Sequence, residues 1–418
     1  MSRIYLARKN QAQGLLEHLL AEDDALWLDL AHATDSSLIA AGADLDRQFA
    51  QPTPMSELVE ALSNLPTSGL SCGYLAYEAC DQAADDRPGP ALPLVVLRHY
   101  AWHLHLVGDA VYWQGDLPEQ GPALAACQAQ VQTAAAEPAD FRLMASFAEL
   151  HDRQAYATRF KRIADYLRAG DVYQVNLCRV WRTRFQGDPL RAYQCLRQLS
   201  PSEHGGFMRI AGHSLLCRSP ERFLRIDGPH VLSSPIKGTV ARGPDDAQRQ
   251  ALLAQCEKNR SENLMIVDLM RNDLGRYARL GSVRVEPLFA VRSTAQVHHL
   301  VSDIHADLAP DVNAWAFLLS CFPGGSITGA PKRRAREIIR ELESEKRSLY
   351  CGSLFYTLDG TIEANIAIRT LIAERQGWLW AYAGGGITAG SQEEEEYSEC
   401  EHKIGAFLAT LEQTFLST

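Results

Sequence analysis

The chain has 418 residues, more than a single hydrophobic core usually serves, so two lobes or two packed sheets are expected. A formal net charge of −10 without a basic stripe argues against nucleic acid as a partner, and the ordinary apolar and charged fractions argue against a disordered chain. Ten cysteines occur without Cys-x-x-Cys spacing, no His cluster completes a zinc site and no apolar run reaches membrane-spanning length, so a cytoplasmic protein with reduced thiols is expected.

In chain order, Gln11 to Leu20 is predicted helical and Ala25 to Leu30 a short strand. Leu70 to Tyr77 reads as an apolar strand, followed by the polar loop Asp81 to Pro93 and alternating strands over Leu94 to Leu106 and Ala110 to Gln114. Pro122 to Ala136 reads as a helix and Glu137-Pro138 as a boundary, dividing an N-terminal region, 1–145, from a core, 146–418. In the core, Tyr156 to Arg168 is an amphipathic helix, Val172 to Trp181 a strand, and Phe207 to Pro235 a meander split by Ala211-Gly212 and Asp227-Gly228-Pro229. Helices are predicted over Asp246 to Tyr277, Asn313 to Leu319 and Lys332 to Glu343. Strands at Gly352 to Thr357, Thr361 to Leu371 and Trp378 to Tyr382 precede a last helix, Glu394 to Phe415. Runs of strands interrupted by helix pairs point to an α+β fold with large, mostly antiparallel sheets.

Four segments carry chemistry. Cys256 to Leu274 is apolar almost all round, which predicts a buried helix whose Glu262, Asp268 and Asp273 each need a cation, hydrogen bonds or a cavity. Arg271, Arg276 or another base can satisfy the two aspartates, whereas Glu262 has only Lys258 at helical spacing and is open to metal ligation. From Phe322 to Lys332 a Gly-rich turn enters a helix, suiting anion capture or a plain connector; Ala330-Pro331 and Arg333 break the phosphate-loop pattern. In Gly384-Gly385-Gly386 successive N–H groups can converge on an anion, and Glu399 and Lys403 stand at i,i+4 on an acidic helix face. Finally, Ser219-Pro220-Glu221 and Pro235-Ile236-Lys237-Gly238-Thr239 flank a turn. In a hairpin centred there, Glu221 and Lys237 lie opposite each other, as a cross-strand ion pair or as a paired acid and nucleophile.

Together with Gly170-Asp171-Val172-Tyr173-Gln174-Val175-Asn176-Leu177, Arg271-Asn272-Asp273-Leu274, His299-Leu300-Val301-Ser302, Tyr350-Cys351-Gly352 and Arg369-Thr370, these segments resemble the chorismate-utilizing enzymes. That family comprises the anthranilate, aminodeoxychorismate, isochorismate and salicylate synthases. The matches run from about Gly170 to Phe407; residues 1–145 match loosely, best at Gly73-Tyr74-Leu75-Ala76-Tyr77.

The resemblance implies a sandwich of large antiparallel sheets with helices outside, and a Mg²⁺-dependent site for chorismate. It makes Glu262 and Glu399 the magnesium ligands. Thr328, Tyr350, Arg369, Gly384, Gly385, Gly386 and Lys403 would hold the substrate's carboxylates and side chain, and His299 would lie beside the ring. Glu221 corresponds to the acid that protonates the departing C4 hydroxyl. At position 237 anthranilate synthases typically carry Ala, whereas members that aminate C4 carry a Lys that attacks C2. Lys237 therefore implies 4-amino-4-deoxychorismate as product, for para-aminobenzoate and folate synthesis. No segment resembles a glutamine amidotransferase, so ammonia would come from a separate glutaminase subunit. Gln174 stands near the position where isochorismate-forming members hold a water-activating lysine, which counts against water as nucleophile. The alternatives are an anthranilate-forming member and a silent chorismate- or tryptophan-binding regulatory protein.

Overall fold

The computed structural model describes residues 2–30, 35–81, 83–117, 119–133, 140–294 and 296–416. Its strands pair antiparallel into a 13-stranded sheet, a nine-stranded sheet and a small three-stranded one. The two large sheets share an inner core, to which Leu28, Met208 and Leu215 come from the larger and Val96, Leu224 and Phe355 from the smaller. Leu215 and Leu216 are adjacent on one strand yet belong to different cores, as the two-residue period of a strand requires. The second core lies beneath the helices Gln13–Ala21, Pro189–Leu199 and Glu393–Phe415, which cover the outer face of the larger sheet. This is the expected α+β sandwich with helices outside.

Both sheets run across residue 145. Leu26–Asp29 pairs with His204–Ile210 in the larger sheet, and Leu70–Leu75 pairs with Ser353–Leu358 in the smaller. The boundary expected at Glu137-Pro138 lies outside the described residues.

Two segments expected as single strands are each split between sheets. Leu94 to Leu106 divides into Val95–Tyr100 in the smaller sheet and His103–Val107 in the larger. Thr361 to Leu371 divides into Thr361–Asn365 and Thr370–Ala373, and the chain between them crosses the sandwich through Arg369, whose φ is +49°. An apolar run reads the same in either sheet, so periodicity misses the crossing.

Asp246 to Tyr277 is two helices, Asp246–Gln255 and Glu257–Gly275, broken at Cys256, where the backbone is extended. The second is not buried all round. One stripe, with Asn263, Ile266, Val267, Met270 and Leu274, meets the core, while Leu264 is 45% exposed. Asp268 pairs with Arg271 on the solvent face, and buried Asp273 takes Lys332 at 2.5 Å.

Candidate active site

The hairpin Arg222–Asp227/His230–Ser234 forms as expected around Gly228, but it ends at the Arg222–Ser234 pair. Lys237 has by then left it for the three-stranded sheet, in which Ile236–Ala241 pairs with Val297–Val301. Glu221 and Lys237 are thus not cross-strand neighbours. They meet instead on the wall of one cavity of about 590 Å³, within the usual range for small-molecule sites.

A bulge aims Lys237. Lys237 pairs with Leu300 and Thr239 with His299, so Gly238 is the extra residue, at φ +76°. In an unbroken ladder Lys237 would share a face with buried Leu300, away from His299. The bulge turns the strand so that Lys237, Thr239 and His299 all line the cavity. A Cβ at position 238 would also lie 2.6 Å from the Asn259 amide, so only glycine fits. The Lys237 side chain has no hydrogen-bond or ion-pair partner among the described residues.

Glu221 is 6% exposed. Its N–H donates to Ser219 Oγ at 3.1 Å, its carbonyl accepts from Ile366 N at 3.0 Å, and Ser326 Oγ donates to its Oε1 at 2.9 Å. Burial pushes this carboxyl up to about 7, against the Ser326 hydrogen bond and the charges of Lys237, Lys403 and Arg369. The Arg369 guanidinium is largely buried and finds no hydrogen-bond acceptor among the described residues; the charge that offsets its burial is Glu221. Burial, with Arg369 and His298, brings His299 down to about 4, so it is neutral at neutral pH; its Nδ1 lies 2.9 Å from Thr239 Oγ1.

Another part of the lining is glycine-bearing strand and helix. Gln174–Gly187 and Trp378–Ile387 pair from Val175–Ile387 to Arg184–Trp378, presenting Asn176, Gly384 and Gly386 to the cavity. At Gly384 a Cβ would meet Leu177 O at 2.7 Å and the Tyr350 hydroxyl at 3.0 Å. Tyr350 itself stacks on Tyr382 with ring centroids 5.3 Å apart. From Glu393–Phe415, Glu399 and Lys403 form the expected i,i+4 pair at 2.6 Å, and Lys403 Nζ also donates to Gly384 O at 2.8 Å. Burial would lower Lys403, but Glu399 beside it holds the ammonium above its ordinary value. Glu399 is held low in turn: burial opposes, and the charges of Lys403, Lys237 and Lys258 prevail.

Of the residues expected at the site, Glu221, Lys237, Glu262, His299, Tyr350, Arg369, Gly384, Gly386, Glu399 and Lys403 line the cavity. Thr328 and Gly385 do not. The Thr328 hydroxyl donates to Gly324 O and Gly325 O, closing the 324–328 turn, and Gly385 points the other way along its strand, toward Glu396. The cavity also escapes the helix start at Lys332, whose ammonium is committed to Asp273 and Cys321 O. Two positions the sequence reading missed support the wall. Ser326 lies within the Phe322 to Lys332 turn with no pattern to mark it, and Arg347 gave no sequence signal. Arg347, 1% exposed, binds Glu343 at 2.6 and 2.8 Å, Ile327 O at 2.9 Å and Asn176 at 3.1 Å.

Chemically, the cavity gathers Lys237, Lys258, Arg369 and Lys403 in a protein of net charge −10, an arrangement for an anion. No group of three or more His, Cys, Asp and Glu suited to a metal occurs among the described residues. Glu262 and Glu399, from two helices facing one roomy cavity, nevertheless suit a hard cation such as Mg²⁺, which takes few protein carboxylates and completes its shell with ligand and water oxygens.

The family model described as chorismate binding enzyme matches residues 3–409. The chain belongs to this family of chorismate binding enzymes. Aminodeoxychorismate synthase component 1 of Escherichia coli (strain K12) is 45% identical over 278 residues, 66% of this chain and 61% of that protein; the match thus spans less than two thirds of the relative. The component 1 of Klebsiella aerogenes is 42% identical over 361 residues, 84% of this chain and 78% of that one. Among solved structures, anthranilate synthase component I from Streptococcus pneumoniae TIGR4 superposes with a TM-score of 0.79 at 26% identity, covering 90% of this chain and 92% of the other. No helix among the described residues is long and apolar enough to cross a membrane, and all ten cysteines are free.

Proposed function

We propose that this chain is the chorismate-aminating component of a 4-amino-4-deoxychorismate synthase. The observation that carries the reading is the partnerless Lys237 amine on one cavity wall with a buried Glu221 whose carboxyl titrates near neutrality. Chorismate is a dicarboxylate, and Arg369 and Lys403 supply the cationic wall it needs. The Lys237 amine, freed of its proton, attacks C2. As the C–N bond forms, the ring double bonds shift and the C4–O bond breaks, Glu221 delivering its proton so that the oxygen leaves as water. Ammonia then adds at C4, the double bonds shift back and the C2–N bond breaks, returning lysine. His299 offers an uncharged ring to the substrate. Mg²⁺, held by Glu262 and Glu399, would neutralise the ring carboxylate when bound. Ammonia comes from a separate glutamine amidotransferase subunit, and free ammonia replaces it; the pathway served is that to para-aminobenzoate and folate.

The test is product analysis with chorismate, Mg²⁺ and ammonium. 4-Amino-4-deoxychorismate is expected; fluorescent anthranilate would overturn the product and favour the anthranilate-forming reading. Intact-protein mass spectrometry after chorismate without ammonia should show an adduct that Lys237→Ala abolishes. Full amination by Lys237→Ala would end the nucleophile role.

A further inference from the structure

We infer that Ser326 is a positioning residue for the acid: its hydroxyl marks Oε1 of Glu221 as the carbonyl oxygen and so keeps the transferable proton on Oε2, facing the cavity. The inference rests on the reading of Glu221 as the proton donor and goes one atom further. Ser326 Oγ donates to Glu221 Oε1 at 2.9 Å, and both residues are buried. Oε2 accepts no donor among the described residues, and Glu221 lines the cavity. A neutral carboxyl has one carbonyl and one hydroxyl oxygen; an O–H donor bound to the first leaves the proton on the second.

Ser326 can hold this orientation because its own backbone is fixed on both sides. Upstream, the Thr328 hydroxyl spans Gly324 O and Gly325 O, and a Cβ at Gly325 would collide with Leu269 of the Glu257–Gly275 helix at 2.4 Å. Downstream, Arg347 Nη1 grips Ile327 O at 2.9 Å. The hydroxyl of Ser326 makes no other hydrogen bond among the described residues. Several charged or titratable groups face Glu221 across the cavity: Lys237 from the three-stranded sheet, Arg369 from the sheet crossing, Lys403 from the last helix, His299 and Glu262. The three cations favour the ionised acid, as does Ser326; burial alone favours the neutral one. Ser326 therefore both orients the proton and holds its release near neutrality.

The experiment is the pH–rate profile of the holoenzyme with saturating Mg²⁺ and ammonium, comparing wild type, Ser326→Ala and Ser326→Thr. Activity needs protonated Glu221, so the profile falls as pH rises through its pKa. Loss of a donor that stabilises the carboxylate moves that descending limb to higher pH by roughly one unit in Ser326→Ala. At the pH optimum kcat drops about tenfold while KM for chorismate changes less than about twofold, and Ser326→Thr restores the limb. ¹³C titration of the Glu221 carboxyl, which needs no turnover, should show the same upward shift. Superimposable profiles and titrations for wild type and Ser326→Ala would overturn the inference. Full activity in Glu221→Gln would instead remove the acid role on which it rests, and anthranilate as product would overturn the proposed reaction while leaving the Ser326 shift intact.

Discussion

On one wall of the cavity Glu221 is nearly sealed from solvent, meets a single hydroxyl, and is pushed up to about 7 by burial. On another, Glu399 is half-exposed, lies 2.6 Å from the Lys403 ammonium, and is held below the ordinary glutamate value. The side chain is the same; what differs is whether desolvation or an adjacent cation dominates. One cavity thereby holds a carboxyl that keeps its proton up to about pH 7 and another that loses it below the ordinary glutamate value, a separation of the kind that acid and anion roles use. The contrast can be broken at either end.

The largest effect is expected from Glu221→Gln, which keeps the shape of the neutral acid without its proton: amination should fall about 10²–10⁴-fold. Stability should move the other way. Folding raises the pKa of this carboxyl from 4.5 to about 7, so the native state holds the proton more tightly and wild-type stability falls as pH rises across that window. Gln has no such loss, so the variant should gain on the order of 2 kcal/mol relative to wild type between pH 4.5 and pH 8, read by thermal melts at the two pH values. An unchanged difference would mean that Glu221 is not neutral in the folded protein.

Next comes the support of the buried wall. Arg347→Met removes the counter-charge of Glu343 and leaves its carboxylate only the Cys178 N–H at 3.0 Å, in a site where both side chains are almost fully buried, and should cost about 3–5 kcal/mol in urea unfolding. It also frees Ile327 O beside Ser326, so any surviving protein should show a disturbed pH profile. A loss below about 1 kcal/mol would mean that the wall is held by packing alone.

How far this was legible in the sequence follows from the range of each interaction. Motif residues such as Glu262, His299 and Arg369 were readable because each motif is local, and they converge because the sheets bring distant segments together. The alternation of apolar residues marked most strands, but not the sheet each joins, so the crossing at Arg369 was read as continuous strand. Gly238 was visible as a residue, yet its bulge exists only in the pairing with Val297–Val301, some sixty positions away. Counting from the turn puts Glu221 opposite Lys237, but the ladder stops at Ser234 and Lys237 pairs with Leu300 instead. Thr328 and Ser326 sit two residues apart in one turn, and no sequence pattern says which hydroxyl closes the turn and which reaches the acid.

The smallest effect belongs to the exposed wall. Glu399→Gln removes a charge from a pair that water already screens, and Lys403 keeps a partner in Gly384 O. The expected cost is below about 1 kcal/mol, and salt should reduce it further. Because folding lowers the pKa of Glu399 below 4.5, whatever the pair contributes is present above that pH and vanishes as pH falls through the folded value. Melts of wild type and variant should therefore converge in acid and in high salt, while Mg²⁺ titration of activity should shift to higher concentration at neutral pH. A cost of several kcal/mol that persists in high salt would place Glu399 in the same dry environment as Glu221, and the contrast between the two carboxylates would then need another cause than solvent access.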